Sequence, residues 1–384
     1  MPFLFLHLSF LVVLLSNIAF LVGCSQNSAH LPRPVSPVVL SKAHTAFPAT
    51  PNTIALLIPL QGPLGSIGWA VEQGFLASAQ ASGAPPRIIV IDTAKEPSIQ
   101  VAYNKAIKKN AQFVVGPLLK AQVQTLVGLE LHTSVLTLNY LASDVSAPPE
   151  LYQFGLSPLD EAKQAALKAW QSGCRSALIM TTDGNWGAQI GQTFADQWNS
   201  LTGTVVDRLT LSHTTSALTR QLREFIQFKP PHNRRTDFDV IFLASDPQTG
   251  RQVKPLLKFF YAGDIPVYAT AAIYSGLPNS SRLDYDLDGV IFCSAPWTIE
   301  KSISNSSLYQ QLQARDAGFF MRNRKYYALG VDAFHIVQQL PNLNQFHAQA
   351  LPGATGQLTL DDKHRIVRKL VCAQFRKGAV SFLD

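Results

Sequence analysis

TIALLIPLQGPLGSIGWAVEQGFLASAQ, residues 53–80, is the stretch on which the fold turns. Its first eight residues form an almost unbroken apolar run, the pattern of a strand buried on both faces. Its second half sets Ile67, Val71, Phe75 and Ala79 four apart, which lines one side of a helix. Between the two, Gly62, Gly65 and Gly68 fall at three-residue spacing. A glycine-rich turn from strand to helix can cradle phosphate. A dinucleotide fingerprint, however, needs Gly-x-Gly-x-x-Gly, and a P-loop needs Gly-x4-Gly-Lys-Ser/Thr. Neither spacing is present, no Lys follows, and Pro63 removes one backbone N–H from any such cradle. A nucleotide loop is excluded. The glycines instead predict a tight turn at the carboxyl end of a sheet, where open α/β sheets hold their ligands.

The same alternation runs onward. Strand-like "RIIVID", "QFVVGP" and "SVLTLN" are separated by the helical stretches "SIQVAYNKAIKK" and "KAQVQTLVGLE". A second series follows, with helices at "LDEAKQAALKAWQSG", "WGAQIGQTFADQWNSL", "TRQLREFIQF" and, despite Pro255, "QTGRQVKPLLKFFYAG". Its strands are "SALIMTTD", "GTVVDRLTL", "DVIFLASD" and "IPVYAT". Such alternation predicts parallel sheets with helices on both faces. A dozen or so strands exceed one compact sheet of this type, so two α/β lobes are expected. The tail differs: "GATGQLTLDDKHRIVRKLVCAQFRKGAV", residues 353–380, reads as a hairpin appended to one lobe, with "DDK" at its turn.

A chain of 384 residues with 47% hydrophobic and 15% charged residues is globular over most of its length. Its net charge of +7 comes from scattered Lys and Arg. No basic stripe interleaved with aromatics is present, which argues against nucleic acid as a partner. The N-terminus is apolar and ends in Leu21-Val22-Gly23-Cys24. An apolar core followed by a small residue is the pattern of a secretory signal. Here the small residue precedes Cys, which resembles the bacterial lipobox; the resemblance implies cleavage before Cys24, a diacylglycerol on its thiol and an acylated new amino terminus. Ser25, where Asp would mark inner-membrane retention, favours the outer membrane. Residues 25–50 are rich in Pro, Ser, Ala and Thr, the composition of a linker spanning roughly 25–30 Å as a coil. Of the three remaining cysteines, Cys174, Cys293 and Cys372, at most one pair can form, and buried free thiols are expected.

Motifs that carry chemistry are few. "RLDYDLDGV" offers Asp284, Asp286, Asp288 and Gly289 in the order of a calcium loop, yet the twelfth position is Ala295 rather than Glu, so a turn before a strand is expected. No Ser-x-x-Lys, Gly-x-Ser-x-Gly or His-Glu-x-x-His occurs, and the nine histidines lack ligand spacing. "TTDGNWG" places Asp183 and Trp186 at a strand end, either against a ligand or as a helix start with Asp183 or Asn185 as cap. Neither an enzyme, a cofactor nor a metal is expected.

Several blocks, in order, carry a resemblance. "IALLIPLQGPLGSIGWAVEQGFLAS", "FVVGPLLKAQVQTL", "VYATAAIYSG", "LDGVIFCSAPW" and "YYALGVDAF" with the tail above resemble the landmarks of the penicillin-binding protein activator lipoproteins, from residue 54 to the end. The resemblance implies a type I periplasmic-binding-protein fold, two doubly wound α/β lobes with three crossovers. It divides the chain into a signal peptide at 1–23, a lipidated Cys and linker at 24–50, one lobe at 51–155 plus 273–350, and the other at 156–272 plus 351–384. It also implies a non-enzymatic outer-membrane lipoprotein that activates a bifunctional penicillin-binding protein, a peptidoglycan synthase. Peptidoglycan or a small cleft ligand are further partners on this view. Longer members carry an N-terminal helical-repeat domain where this sequence shows only the linker. The alternative on the same fold is a lipid-anchored receptor of the branched-chain amino acid type. Such receptors hold a carboxylate with hydroxyls and N–H groups at strand ends, whereas the matching loops here offer Leu118, Leu119, Ala271 and Ala272. A cleft without an amino-acid ligand is therefore expected. Strand ends nominate Gln61, Ser66, Asn139, Tyr140, Asp183, Trp186 and Tyr274 as its lining.

Overall fold

The structure is a computed structural model and describes residues 50–384, apart from 143, 278–279, 300–305, 343–345, 347 and 384. Cys24, the apolar leader and almost all of the linker lie outside the described residues. The opening apolar run is β1 (Thr53–Ile58), followed by β2 (Arg87–Asp92), β3 (Phe113–Val115), β4 (Ser134–Thr137) and β5 (Leu151–Gln153). These five are parallel and lie in the order β2-β1-β3-β4-β5. The chain then builds β6 (Ser176–Thr182), β7 (Thr204–Leu211), β8 (Val240–Ala244), β9 (Val267–Thr270) and β10 (Val290–Ser294), again parallel. A small antiparallel sheet follows from β11 (Leu351–Pro352), β12 (Gln357–Leu360) and β13 (Ile366–Lys369). Finally β14 (Val371–Arg376) and β15 (Ala379–Phe382) add antiparallel to β10, giving the seven-stranded order β15-β14-β10-β9-β8-β6-β7.

Each sheet is sandwiched, as the doubly apolar strands require. On the first, Leu56 and Ile58 face the helices Gly65–Ala81 and Ala317–Gln339, whereas Ala55 and Leu57 face Ile99–Lys108 and Lys120–Leu126. On the second, Leu178 and Met180 face Thr215–Phe225 and Pro247–Phe259, and Ala177 and Ile179 face Pro158–Gln171 and Gly184–Ser200. Pro255 sits on the exposed side of its helix, so the carbonyl it leaves without a donor faces water. Burial of these four faces is the main source of stability.

Two close approaches explain why glycine appears where it does. A Cβ on Gly68 would fall inside contact distance of the Pro59 carbonyl, so only glycine lets the helix start fold back across the end of β1. Further along, a Cβ on Gly74 would strike the Tyr327 carbonyl, and one on Gly330 would strike that of Val71. The helices Gly65–Ala81 and Ala317–Gln339 thus meet backbone to backbone through a reciprocal glycine pair. The same long helix is anchored by Asp332. Its buried carboxylate accepts from Ala354 N (2.7 Å), Thr355 N (2.7 Å) and Thr355 Oγ1 (2.6 Å), which fixes the entry to β12.

The strand pairings depart from the sequence-based division in two places. Residues 273–350 were assigned to the first lobe, but β10 pairs with β9 in the seven-stranded sheet. Residues 351–384 were assigned to the second, but Leu358, Leu360 and Ile366 of the β12–β13 hairpin pack into the core of the first. Only β14 and β15 belong to the second. The tail is therefore split between lobes rather than appended to one. Its turn is as expected: Asp361 Oδ1 accepts from Lys363 N (2.9 Å) and Arg365 N (2.8 Å), with His364 at positive φ. The expectation of free thiols also fails in part. Cys293 and Cys372 are joined by a disulfide, and Cys174 is the free, buried one. The two half-cystines sit directly opposite in the antiparallel β10–β14 register, their Cα atoms 4.0 Å apart. No spacing along the chain reveals that register.

Candidate functional site

The chain crosses between the two sheets three times, at residues 154–157, at 295 and at 370. One cavity of 340 Å³ lies beside these crossings. The first crossing supplies Leu156 and Pro158, the second Ser294, Ala295 and Thr298, and Arg368 stands just before the third. The long helix Ala317–Gln339 closes one wall with Met321, Arg322, Arg324 and Lys325. Glu161, in the first turn of Pro158–Gln171, lies opposite with Trp186 and Tyr274.

Among the described residues, four cations and a single carboxyl line this cavity. Burial raises the Glu161 carboxyl to about 7, against the pull of Arg368, Lys325 and the Ala271 N–H that it accepts at 2.9 Å. Arg368 is almost wholly buried, yet its bonds are long: Nη2 is 3.4 Å from Ser157 O and 3.5 Å from Asp160 Oδ2. Arg324 Nη2 donates to Gly276 O at 3.1 Å. Among the described residues, the Nε atoms of both arginines are buried without a hydrogen-bond partner, as is Thr270 Oγ1 at the strand end behind Ala271. Buried donors are nearly always paired. Two of these orphaned donors belong to residues that line the cavity, and the third stands behind its Ala271 wall. The hydroxyls of Ser294 and Thr298, by contrast, satisfy each other at 2.8 Å.

A second cavity of 220 Å³ adjoins the first through Leu156. It is apolar, lined by Leu64 and Ile67 of the glycine turn, by Leu118 and Leu119, and by Tyr326 and Leu329 of the long helix. The turn that opens the fold thus walls an apolar recess, and phosphate has no place there.

Of the residues nominated from sequence, Trp186 and Tyr274 meet at the cationic cavity and Asn139 lines the apolar one. Trp186 is 40% exposed, whereas Tyr274 packs on Phe292 and Phe375. Asn139 is internally satisfied, donating to Leu118 O and accepting from Tyr140 N. Tyr140 is buried: its hydroxyl donates to Ile366 O at 2.9 Å, tying the hairpin to the first sheet, and desolvation pushes it up to about 12. Gln61 and Ser66 are exposed and line neither cavity. Asp183 stands at the N-cap position but makes no capping bond; it meets His213 Nε2 at 2.9 Å instead. Arg324, Lys325 and Arg368 were not nominated. The one signal for the first two was the run "MRNRKYY", residues 321–327, which sets three cations close together in the long helix; Arg368 had none.

Two doubly wound lobes, three crossings and a cleft beside them define a type I periplasmic-binding-protein fold. The chain belongs to the LppC family, whose model, described as "LppC putative lipoprotein", matches residues 25–378. It is similar to the penicillin-binding protein activator LpoA of Photobacterium profundum, 26% identical over 93% of this chain and 61% of that protein. The Haemophilus influenzae protein of the same name is 27% identical over 86% and 55%. The chain thus spans about three-fifths of the length of these relatives. Among solved structures, the LpoA C-domain from H. influenzae, described as a regulator of PBP1A, superposes with a TM-score of 0.73 at 26% identity. That match covers 86% of this chain and 100% of the C-domain. An ABC transporter substrate-binding protein from Sphaerobacter thermophilus, at TM-score 0.60 and 15% identity over 86% and 96%, shares the fold alone.

Proposed function

We propose that this chain is a non-enzymatic lipoprotein of the cell envelope that activates a bifunctional penicillin-binding protein and so promotes peptidoglycan crosslinking. One observation carries this reading: the complete C-domain of a protein described as a regulator of PBP1A is matched end to end. The names of the curated relatives point the same way. Cys24, lipidated and held in the outer membrane, is the anchor in this proposal, and the Pro/Ser-rich segment to residue 50 is its tether. A disulfide in the second lobe fits an oxidising compartment outside the cytoplasm.

The test is reconstitution. The full-length chain in detergent is added to the bifunctional synthase of the same organism, and crosslinking and glycan polymerisation are followed together. A saturable rise in crosslinking is expected. Absence of both binding and rate change would overturn the activator reading. Cys24→Ala should leave that stimulation in detergent intact while releasing the protein from membranes.

A further inference from the structure

We propose that the cationic cavity between the lobes binds a small organic ligand bearing carboxylates, held by Arg324, Lys325 and Arg368. The inference stands independently of any synthase partner.

The reasoning begins with the unpaired donors. Arg368 is 3% exposed, and its Nε has no partner while its remaining bonds reach 3.4 and 3.5 Å. A guanidinium buried in that state is costly unless an anion completes it. Arg324, on the long helix of the same lobe, leaves its own Nε unpaired at the same cavity. With Lys325 and Arg322, the wall carries four positive charges against Glu161, while Asp160 stays with Arg368. That excess calls for more than one negative charge on the occupant.

Size and neighbours narrow the class. A volume of 340 Å³ lies within the range of small-molecule sites and far exceeds a single inorganic ion. Leu156, Tyr274, Trp186 and Met321 give the ligand apolar surface, which inorganic phosphate cannot use. The carboxyl of Glu161 offers an acceptor for an amide N–H or an ammonium on the same ligand. Carboxylates, an amide and a short aliphatic body together describe a short acidic peptide or, against the sequence-based expectation of a cleft without an amino-acid ligand, an acidic amino acid. Because the cavity is lined by the long helix and Arg368 of the first lobe and by Glu161, Trp186 and Tyr274 of the second, its occupant would bridge the lobes.

Isothermal titration calorimetry on the full-length chain in detergent tests this with four probes: L-alanyl-D-glutamate, glutarate, alaninamide and inorganic phosphate. Saturable binding of the dipeptide is expected, weaker binding of glutarate, and none of alaninamide. Arg324→Gln, at a half-buried helix position with one hydrogen bond, should keep the melting temperature but weaken the dipeptide by roughly tenfold or more. Lys325→Gln provides a second, exposed position with the same expectation. Phosphate binding as tightly as the dipeptide would overturn the carboxylate assignment. No heat from any probe at millimolar concentration, or binding indifferent to both substitutions, would overturn the site. Neither failure touches the synthase assay, which reads a different partner.

Discussion

The two cavities of the cleft share Leu156 and one helix, yet they are built oppositely. On the helix Ala317–Gln339, Arg324 and Lys325 face the charged cavity while Tyr326 and Leu329 face the apolar one. The apolar side adjoins the glycine turn and is held by close backbone packing. The charged side is assembled from residues that enter around the crossings, and it keeps donors without partners. The difference teaches that the strand-to-helix turn, where a ligand would be sought first, serves packing. The polar chemistry has moved to the joints between the lobes.

That contrast can be broken from either side. The largest effect should come from the frame common to both cavities. Asp332→Ala strands three donors of the 354–355 segment in a buried setting and should cost about 3 kcal/mol or more, read by urea unfolding. An unchanged midpoint would mean that the long helix is not anchored there. Next, Gly68→Ala should cost about 2–3 kcal/mol, because its new methyl group cannot clear the Pro59 carbonyl. If it were neutral, the apolar recess would be far more plastic than the packing implies.

The charged side can be probed by pH. Glu161 is raised to about 7 in the fold and titrates near its ordinary value when unfolded. A raised folded value means that its contribution is fully present below the unfolded value and is lost as pH rises through 7. Stability should therefore fall between about pH 4.5 and 7 by an amount on the order of 3 kcal/mol from this group. Asp332, raised to about 6, adds loss of the same sign at slightly lower pH. Glu161→Gln should remove the component near pH 7 and leave that of Asp332. A profile identical to the parent's would show that the carboxyl is not desolvated. Smallest of all, Arg324→Gln should move stability by about 1 kcal/mol, since one hydrogen bond, to the Gly276 carbonyl, is all it forfeits. A large loss would recast Arg324 as part of the scaffold.

Much of this was legible in the residues. The apolar run 53–60 and the helical spacing of Ile67, Val71 and Phe75 were sufficient for the first strand–helix unit, and repetition of the pattern gave two parallel sheets. Trp186 and Tyr274 were within reach because they follow strands, where α/β ligands collect. Arg324 and Lys325 were not, because a cation in mid-helix looks like solvated surface until another lobe faces it. Arg368 was hidden in a tail whose strands divide between lobes. The assignment of β10 failed for a related reason: the helical turns between β9 and β10 break the regular alternation that marks the other crossovers.

The bridge between Cys293 and Cys372 joins the strand before the second crossing to the strand after the third. Its ends lie 79 positions apart in the sequence, so the long helix and the hairpin together belong to a covalently closed ring that shuts on the second lobe. A protease cutting anywhere within that ring would open it without freeing either fragment. On a denaturing gel the nicked chain should run as one species until a reductant is added, and as two afterwards.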